Sequence, residues 1–462
     1  MKFVSTRGQA PVLGFNDVLL AGLARDGGLY VPQSWPSMDK QTIAGMAGAP
    51  YAQVAKTVLW PFVQEDIAKA DFEKMIDEAY ATFRHEAVAP LTQVAPNHYI
   101  LELFHGPTMA FKDVAMQLLG RLMNHVLQER NENATIIGAT SGDTGGAAIE
   151  AFKGKDNTSM FILFPNNRVS DVQRMQMTTV KDKSVHALAV EGNFDDCQAL
   201  VKALFNDLEF RDEVQLSGVN SINWARIMAQ VVYYFTAAVS LGAPERKVSF
   251  SVPTGNFGDI FAAFVAKKMG LPIDQLVIAT NSNDILTRCM ETMRYEVTGV
   301  SPTTSPSMDI QVSSNFERLL FEAYGRDGDE IARLMNGLKQ SGSFAISMDP
   351  FEKIKSEFVA GRSNAKDTKQ TITQTLEESG YLLDPHTAVG LKVAKEFEKP
   401  DSPMVTLATA HPAKFPDAVK DATGIHPQLP AWQGDLMERE EHFSVIPNDE
   451  AFLKAHIRKN ML

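Results

Sequence analysis

The chain is poor in cysteine, in long apolar runs and in positive charge, and each shortage removes a class of protein. Cys197 and Cys289 are its only cysteines, and neither belongs to a CxxC pair. A disulfide framework is thereby excluded, and both are expected to be small core residues. No window approaches the roughly 18 continuous apolar residues that a membrane-spanning helix needs. The segment Met1 to Gly8 lacks the apolar core and cleavage pattern of a secretory signal, so a cytoplasmic location is expected. Asp and Glu number 56 against 44 Lys and Arg, for a formal charge of -12 over 462 residues, with no long basic tract. Nucleic-acid and membrane partners are therefore not expected. No HExxH, calcium loop, GxGxxG or GxxxxGK[ST] occurs, which argues against a metal centre, a dinucleotide fold and a Walker loop.

What is present is an ordinary globular composition, 44% apolar and 22% charged, long enough for two unequal units. Residues 1 to 95 are expected to form a small, mainly helical N-terminal domain. Residues 96 to 462 then alternate short apolar runs with helical ones. Strands are expected at 99–103, 134–139, 159–164, 185–190, 215–219, 247–252, 275–280 and 404–410. Residues 295 to 375 read as less regular, with helices expected at 315–323 and 329–338. Strands alternating with crossover helices predict an α/β architecture with largely parallel sheets, arranged as two lobes. Glycine-bearing turns directly after strands place ligand sites at the carboxyl edge of such sheets.

Three of those turns carry chemistry. Leu101 to Asp113 sets Lys112 after a Gly106-Pro107 turn, beside Phe111, at the head of an expected helix that Pro107 or Thr108 would start. Alone, Lys112 reads as a surface lysine whose stem lies on apolar neighbours. Partial burial would instead lower its affinity for a proton and supply an amine nucleophile. Thr140-Ser141-Gly142-Asp143-Thr144-Gly145 and Gly255-Asn256-Phe257-Gly258-Asp259 each suit an anion, the second because its glycines let the backbone turn N–H groups toward a phosphate ahead of a helix. One amine with two anion cradles suits a Schiff-base cofactor enzyme acting on an amino acid.

The run Glu102 to Asp113 resembles the cofactor-lysine signature of threonine synthases, within the fold-type II (tryptophan-synthase-like) group of pyridoxal 5'-phosphate enzymes. The likeness continues through Thr140–Gly145, Val219–Ile227, Gly255–Asp259 and Ala408–Phe415, and so spans essentially the whole chain. It implies two three-layer α/β lobes behind the small N-terminal domain. It further implies that Lys112 is catalytic and bonds the cofactor, with Phe111 near the ring. Gly255, Asn256, Phe257, Gly258 and Asp259 are expected to hold the cofactor phosphate, Asp143 to lie beside the ring oxygen and Thr409 to contact the ring nitrogen. The charge of Asp143 is left open at this point.

The reaction implied is conversion of O-phospho-L-homoserine and water to L-threonine and phosphate by gamma-elimination and beta-hydration, the work of a carbon-oxygen lyase acting on phosphate. Thr140, Ser141 and Thr144 are expected at the substrate carboxylate. His105, Ser221, Asn223, Arg226 and Lys414 are candidates for its phosphate, Asn223 and Arg226 because they would share a helical face, and Arg168 and Arg318 are weaker ones. A phospho-lyase giving 2-oxobutyrate, a dehydratase and a noncatalytic metabolite-binding protein are the competing readings. No metal is expected, and a monomer or homodimer is.

Overall fold

The structure is a computed structural model that describes residues 1–140 and 142–462; Ser141, expected in the substrate loop, lies outside the described residues. Two sheets organise it. One runs in the order Phe358–Arg362, Ile273–Thr280, Val248–Pro253, Met404–Ala408, His98–Glu102, Leu91–Ala95, parallel except for the last strand. The other runs Ser444–Ile446, Val185–Val190, Thr158–Pro165, Ala134–Ala139, Leu216–Ser217, parallel throughout. Every residue of Val248–Pro253 and of Thr158–Pro165 is buried. Such central strands are covered on both faces, which is why they read as apolar runs rather than as alternating patterns. The expected α/β class and its two lobes stand.

The edge strands were not legible. Leu91–Ala95 is largely half-buried, Ser444–Ile446 is exposed at two of its three positions, and Phe358–Arg362 falls within the stretch expected to be less regular. An edge strand needs only one covered face and so carries no apolar run. Leu91–Ala95 lies next to the expected division before residue 96 and is hydrogen-bonded to His98–Glu102 of the large sheet.

The N-terminal part holds the paired strands Phe3–Ser5 and Tyr30–Pro32 and four helices, Phe15–Ala21, Lys40–Ala44, Tyr51–Val63 and Lys69–Tyr80. It has no core of its own. Phe3 and Phe62 pack on Trp224, at ring-centroid distances of 5.9 and 5.7 Å. Trp224 opens the helix Trp224–Ser240, which is almost wholly buried. Both cysteines are free and buried, as small core residues should be. The carboxyl ends of Val248–Pro253, Met404–Ala408 and Ala134–Ala139 lead into Gly255, Thr409 and Thr140, which brings the sequence motifs to one crevice.

Candidate active site

Lys112 is the first residue of helix Lys112–Arg130 and is 8% exposed. The helix starts there and not at Pro107 or Thr108, because Thr108 has another partner. Its backbone N–H and its hydroxyl both donate to the Asp113 carboxylate, each at 2.7 Å. Gly106 is required by the same turn, since a Cβ there would sit 2.5 Å from that of Asp113. Burial pushes Asp113 up to about 6 against the Thr108 hydrogen bonds. The turn is also tied across the crevice: Phe111 donates its N–H to the Thr409 carbonyl at 2.8 Å. Burial lowers the proton affinity of Lys112 below the usual lysine range, opposed by Asp143 and reinforced by Lys414 and Arg226. Its Nζ lies 5.0 Å from the centroid of the Phe111 ring. Burial thus makes Lys112 a weaker base than an exposed lysine.

Asp143 begins helix Asp143–Phe152 and is buried. Its Oδ1 accepts from Lys414 Nζ at 2.8 Å and from Gln173 Nε2 at 2.9 Å. Its Oδ2 faces Lys112 Nζ and the Ser307 hydroxyl, each at 3.5 Å. Burial alone would raise this carboxyl, but Lys414 and then Lys112 hold it well below the usual carboxylate range. The charge left open by the sequence is therefore negative. Lys414 needs a correction. Expected at the substrate phosphate, it is fully buried, with its ammonium on Asp143 and on the Thr108 carbonyl at 2.7 Å. Its ammonium is taken up by that carboxylate.

Gly255 to Asp259 form the expected turn, but not by the expected means. Neither glycine has a positive φ; the left-handed residue is Phe257, at φ 61°. The Phe257 ring is buried against Phe316 and Phe358, at 5.3 and 5.7 Å, and that packing compensates the backbone cost. The glycines are needed for space. A Cβ on Gly255 would come within 2.8 Å of the Ser307 carbonyl oxygen, and one on Gly258 within 3.3 Å of Asn315 and Ile227. Helix Gly258–Lys268 then starts with first-turn N–H groups that no helical carbonyl can satisfy. Asn256 is exposed at the mouth, while its carbonyl accepts from Asn315. The side chain of Asp259 turns inward, where its Oδ1 accepts from the hydroxyls of Tyr233 and Tyr234. It anchors the loop rather than cradling an anion.

Burial pushes Asp259 up to about 6 despite the tyrosine hydrogen bonds. An unfolded aspartate loses its proton near 3.8; the folded form holds it longer, so this group favours the native state below that value. Its contribution falls as pH rises through about 6. Asp259→Asn removes this dependence. The melting temperature of the variant relative to the parent should therefore rise between pH 4 and pH 7, and a difference that is flat with pH would refute the assignment. Gly255→Ala is expected to weaken retention of the phosphate-bearing cofactor by about tenfold or more, since overpacking costs about 1–3 kcal/mol. Equilibrium binding to the stripped protein measures it.

The second phosphate candidates divide. Arg226 is 3% exposed, donates from one terminal nitrogen to the Val219 carbonyl at 3.2 Å, and leaves its Nε without a partner. Burial pushes it down to about 10. A buried guanidinium so incompletely satisfied calls for an anion. Asn223 is corrected: its Oδ1 caps Ala225 N–H, and its Nδ2 donates to the Leu19 and Gly218 carbonyls. Both ends of its amide are thus engaged within the protein. Ser221 is half-buried, and its carbonyl accepts from Asn315. Arg318 is a structural clamp, bonded to Tyr30, Asn315 and Ile222. Arg168 is exposed.

Thr140 shapes its loop, its hydroxyl accepting from Gly142 and Gly145 N–H at 2.9 and 3.0 Å. Thr144 lies half-buried in the first helical turn that follows. Thr409 is 6% exposed. His105 is held by Glu102 at 2.7 Å and lies against His85 and Phe104. Sequence reasoning missed Gln173, Ser307 and His386. The Ser307 N–H donates to His386 Nε2 at 3.3 Å, while His386 Nδ1 pairs with Asp384 at 2.9 Å. No local pattern marks these residues, because each reaches the crevice from a distant loop or helix. Among the described residues no cluster of three metal-ligating side chains occurs.

Three family models match the chain: the threonine synthase N terminus over residues 2–80, the pyridoxal-phosphate dependent enzymes over 84–341 and the threonine synthase C-terminal region over 387–457. A threonine synthase of Pseudomonas aeruginosa is 54% identical over 462 residues, covering 100% of this chain and 98% of that one. The solved threonine synthase of Brucella melitensis, with pyridoxal phosphate bound, is 65% identical with a TM-score of 0.97, over 100% of this chain and 99% of that one. The yeast threonine synthase structure gives 40% and 0.94, over 99% of this chain and 98% of that one. Because the Pseudomonas relative is 54% identical across the whole of this chain and the three family models together match most of its length, the chain belongs to the threonine synthase family of pyridoxal-phosphate-dependent enzymes.

Proposed function

We propose that the chain converts O-phospho-L-homoserine and water to L-threonine and phosphate. The single observation that carries this reading is the pairing of a buried amine, Lys112, with a separate buried guanidinium, Arg226, whose Nε has no partner. One suits the cofactor aldehyde; the other suits the second anion that an O-phosphorylated substrate brings. The residues present fit pyridoxal 5'-phosphate: the Gly255 cradle has no room for a Cβ, the first turn of Gly258–Lys268 offers its N–H groups, and Lys112 is buried beside Phe111. When bound, the cofactor supplies an aldehyde for an amine and a ring that withdraws electrons from the adjoining carbon.

The chain's own residues then do the following. Gly255 to Gly258 hold the cofactor phosphate through backbone N–H groups, and Thr409 presents a neutral hydroxyl to the ring nitrogen. Thr140, Ser141 and Thr144 belong to the loop that takes the substrate carboxylate, with Thr144 on the first turn of a helix. Arg226 orients the substrate phosphate, and Ser221 of the same segment is a further polar group for it. Lys112, released to its amine form, takes the proton from Cα and relays protons at Cβ and Cγ. The net change breaks the Cγ–O bond and releases phosphate, takes one hydrogen from Cβ and adds one at Cγ, and places the hydroxyl of water at Cβ while its proton goes to the phosphate. His105, fixed by Glu102, is a further polar group for the phosphate end. The N-terminal part, up to about residue 95, buttresses this end through the Leu19 and Tyr30 carbonyls.

The reading takes small-molecule partners only, in a cytoplasmic monomer or homodimer; among the described residues no helix is long and apolar enough to cross a membrane. The test is product identification with labelled O-phosphohomoserine. Threonine with equimolar phosphate is the expected result. Release of 2-oxobutyrate as the sole organic product would replace the synthase with a phospho-lyase, and no turnover by cofactor-loaded protein would favour a binding protein.

A further inference from the structure

Lys414 holds the shortest contact to Asp143 among the charged groups, 2.8 Å against 3.5 Å for Lys112. Both partners of that pair are buried, at 0% and 3% side-chain exposure. Lys414 is also immobilised. It closes the turn Pro412–Lys414, its carbonyl accepts from the Ser170 hydroxyl, and its Nζ donates to the Thr108 carbonyl, which takes a second bond from Gln176 at 3.1 Å. Asp143 is thus split in function: Oδ1 is anchored by Lys414 and Gln173, while Oδ2 faces the reacting amine. A lysine that must act as a nucleophile and base gives up its charge during the reaction. If Lys112 were the sole partner of Asp143, each such loss would strand a buried carboxylate, which is strongly unfavourable.

We propose that Lys414 is the permanent counter-charge of Asp143, a positioning residue that keeps the carboxylate ionised while Lys112 passes between its charged, neutral and bonded forms. Lys112 is thereby relieved of ion-pair duty and is available as an amine. The inference rests on Lys112 being the cofactor lysine. The charged groups around the pair are accounted for: Lys112 faces Asp143, Lys414, Arg226 and Asp259, and Lys414 faces Asp143, Asp113 and His411. Of these, Lys414 and Lys112 are the cations in contact with Asp143. Burial pushes His411 down to about 4, so it is neutral near pH 7 and does not substitute.

The experiment measures the rate at which stripped protein takes up pyridoxal phosphate, by visible absorbance, across pH. Condensation of the amine with the aldehyde releases water and needs the neutral amine, so the rate falls on the acid side. Lys414→Met leaves Lys112 as the only cation on Asp143, and the acid limb should move up by about one pH unit or more. Lys414→Arg, which keeps the charge, should lie near the parent. Asp143→Asn combined with Lys414→Met removes both the anion and the cation and should return the limb toward the parent position. A Lys414→Met limb that overlays the parent, or a double variant displaced as far as the single one, overturns the proposal and leaves Lys414 a packing residue. If Lys414→Met fails to fold, recovery of folding in the double variant supports the proposal and its failure overturns it. Loss of uptake in Lys112→Ala separately tests the reading beneath it.

Discussion

Lys112→Ala is expected to lower turnover of O-phosphohomoserine by about 10⁴-fold or more, because it removes both covalent attachment and the general base. The visible absorbance of lysine-bound pyridoxal phosphate should vanish with it. Folding should survive, for a reason specific to this site. Asp143 keeps Lys414 at 2.8 Å and Gln173 at 2.9 Å after the amine is gone, so no buried carboxylate is stranded. Circular dichroism and a melting curve check that point. A variant with unchanged absorbance or near-parental turnover would remove Lys112 from the reaction.

The second large effect is expected at Arg226. Arg226→Met deletes a 3%-exposed guanidinium from the first turn of Trp224–Ser240. If it serves the substrate phosphate, kcat/KM for O-phosphohomoserine should fall by about 10²-fold or more, the scale of a lost charge-assisted hydrogen bond in a buried site. Cofactor affinity should change little, and inhibition by inorganic phosphate should weaken in parallel. Loss of cofactor affinity with an unchanged KM would instead assign the guanidinium to the cofactor phosphate. Because the side chain donates to the Val219 carbonyl, Arg226→Lys is the control for folding: it keeps the charge but loses the planar fork, so it should recover only part of the activity.

Much of the molecule was readable before its structure. Central strands such as 134–139 and 185–190 coincide with the observed elements, since burial on both faces forces a continuous apolar run. The helices Phe316–Ala323 and Gly328–Ser341 follow the expected spans closely for the same kind of reason, a one-sided apolar stripe. Edge strands such as Leu91–Ala95 and Ser444–Ile446 were missed, because half-exposed residues carry little pattern. Within the site, Lys112, Asp143 and the Gly255 turn stood out locally. The partners of those residues did not. Lys414 and Asn223 were each in a recognised segment and still misassigned, since a motif gives a residue's neighbours in the chain and not the atoms its side chain meets.

By itself, the order of residues determined the family and the α/β plan, and it singled out Lys112 and the two glycine-bearing turns, because each depends on spacing within a few turns of chain. The tertiary structure alone decided the charge of Asp143, the duty of Lys414, the inward turn of Asp259 and the meeting of Ser307 with His386. Those facts depend on groups far apart in the chain, 306 positions for Thr108 and Lys414, brought together where burial makes every unmatched charge costly. Local chemistry is written along the chain; electrostatic balance exists only once the fold brings its partners together.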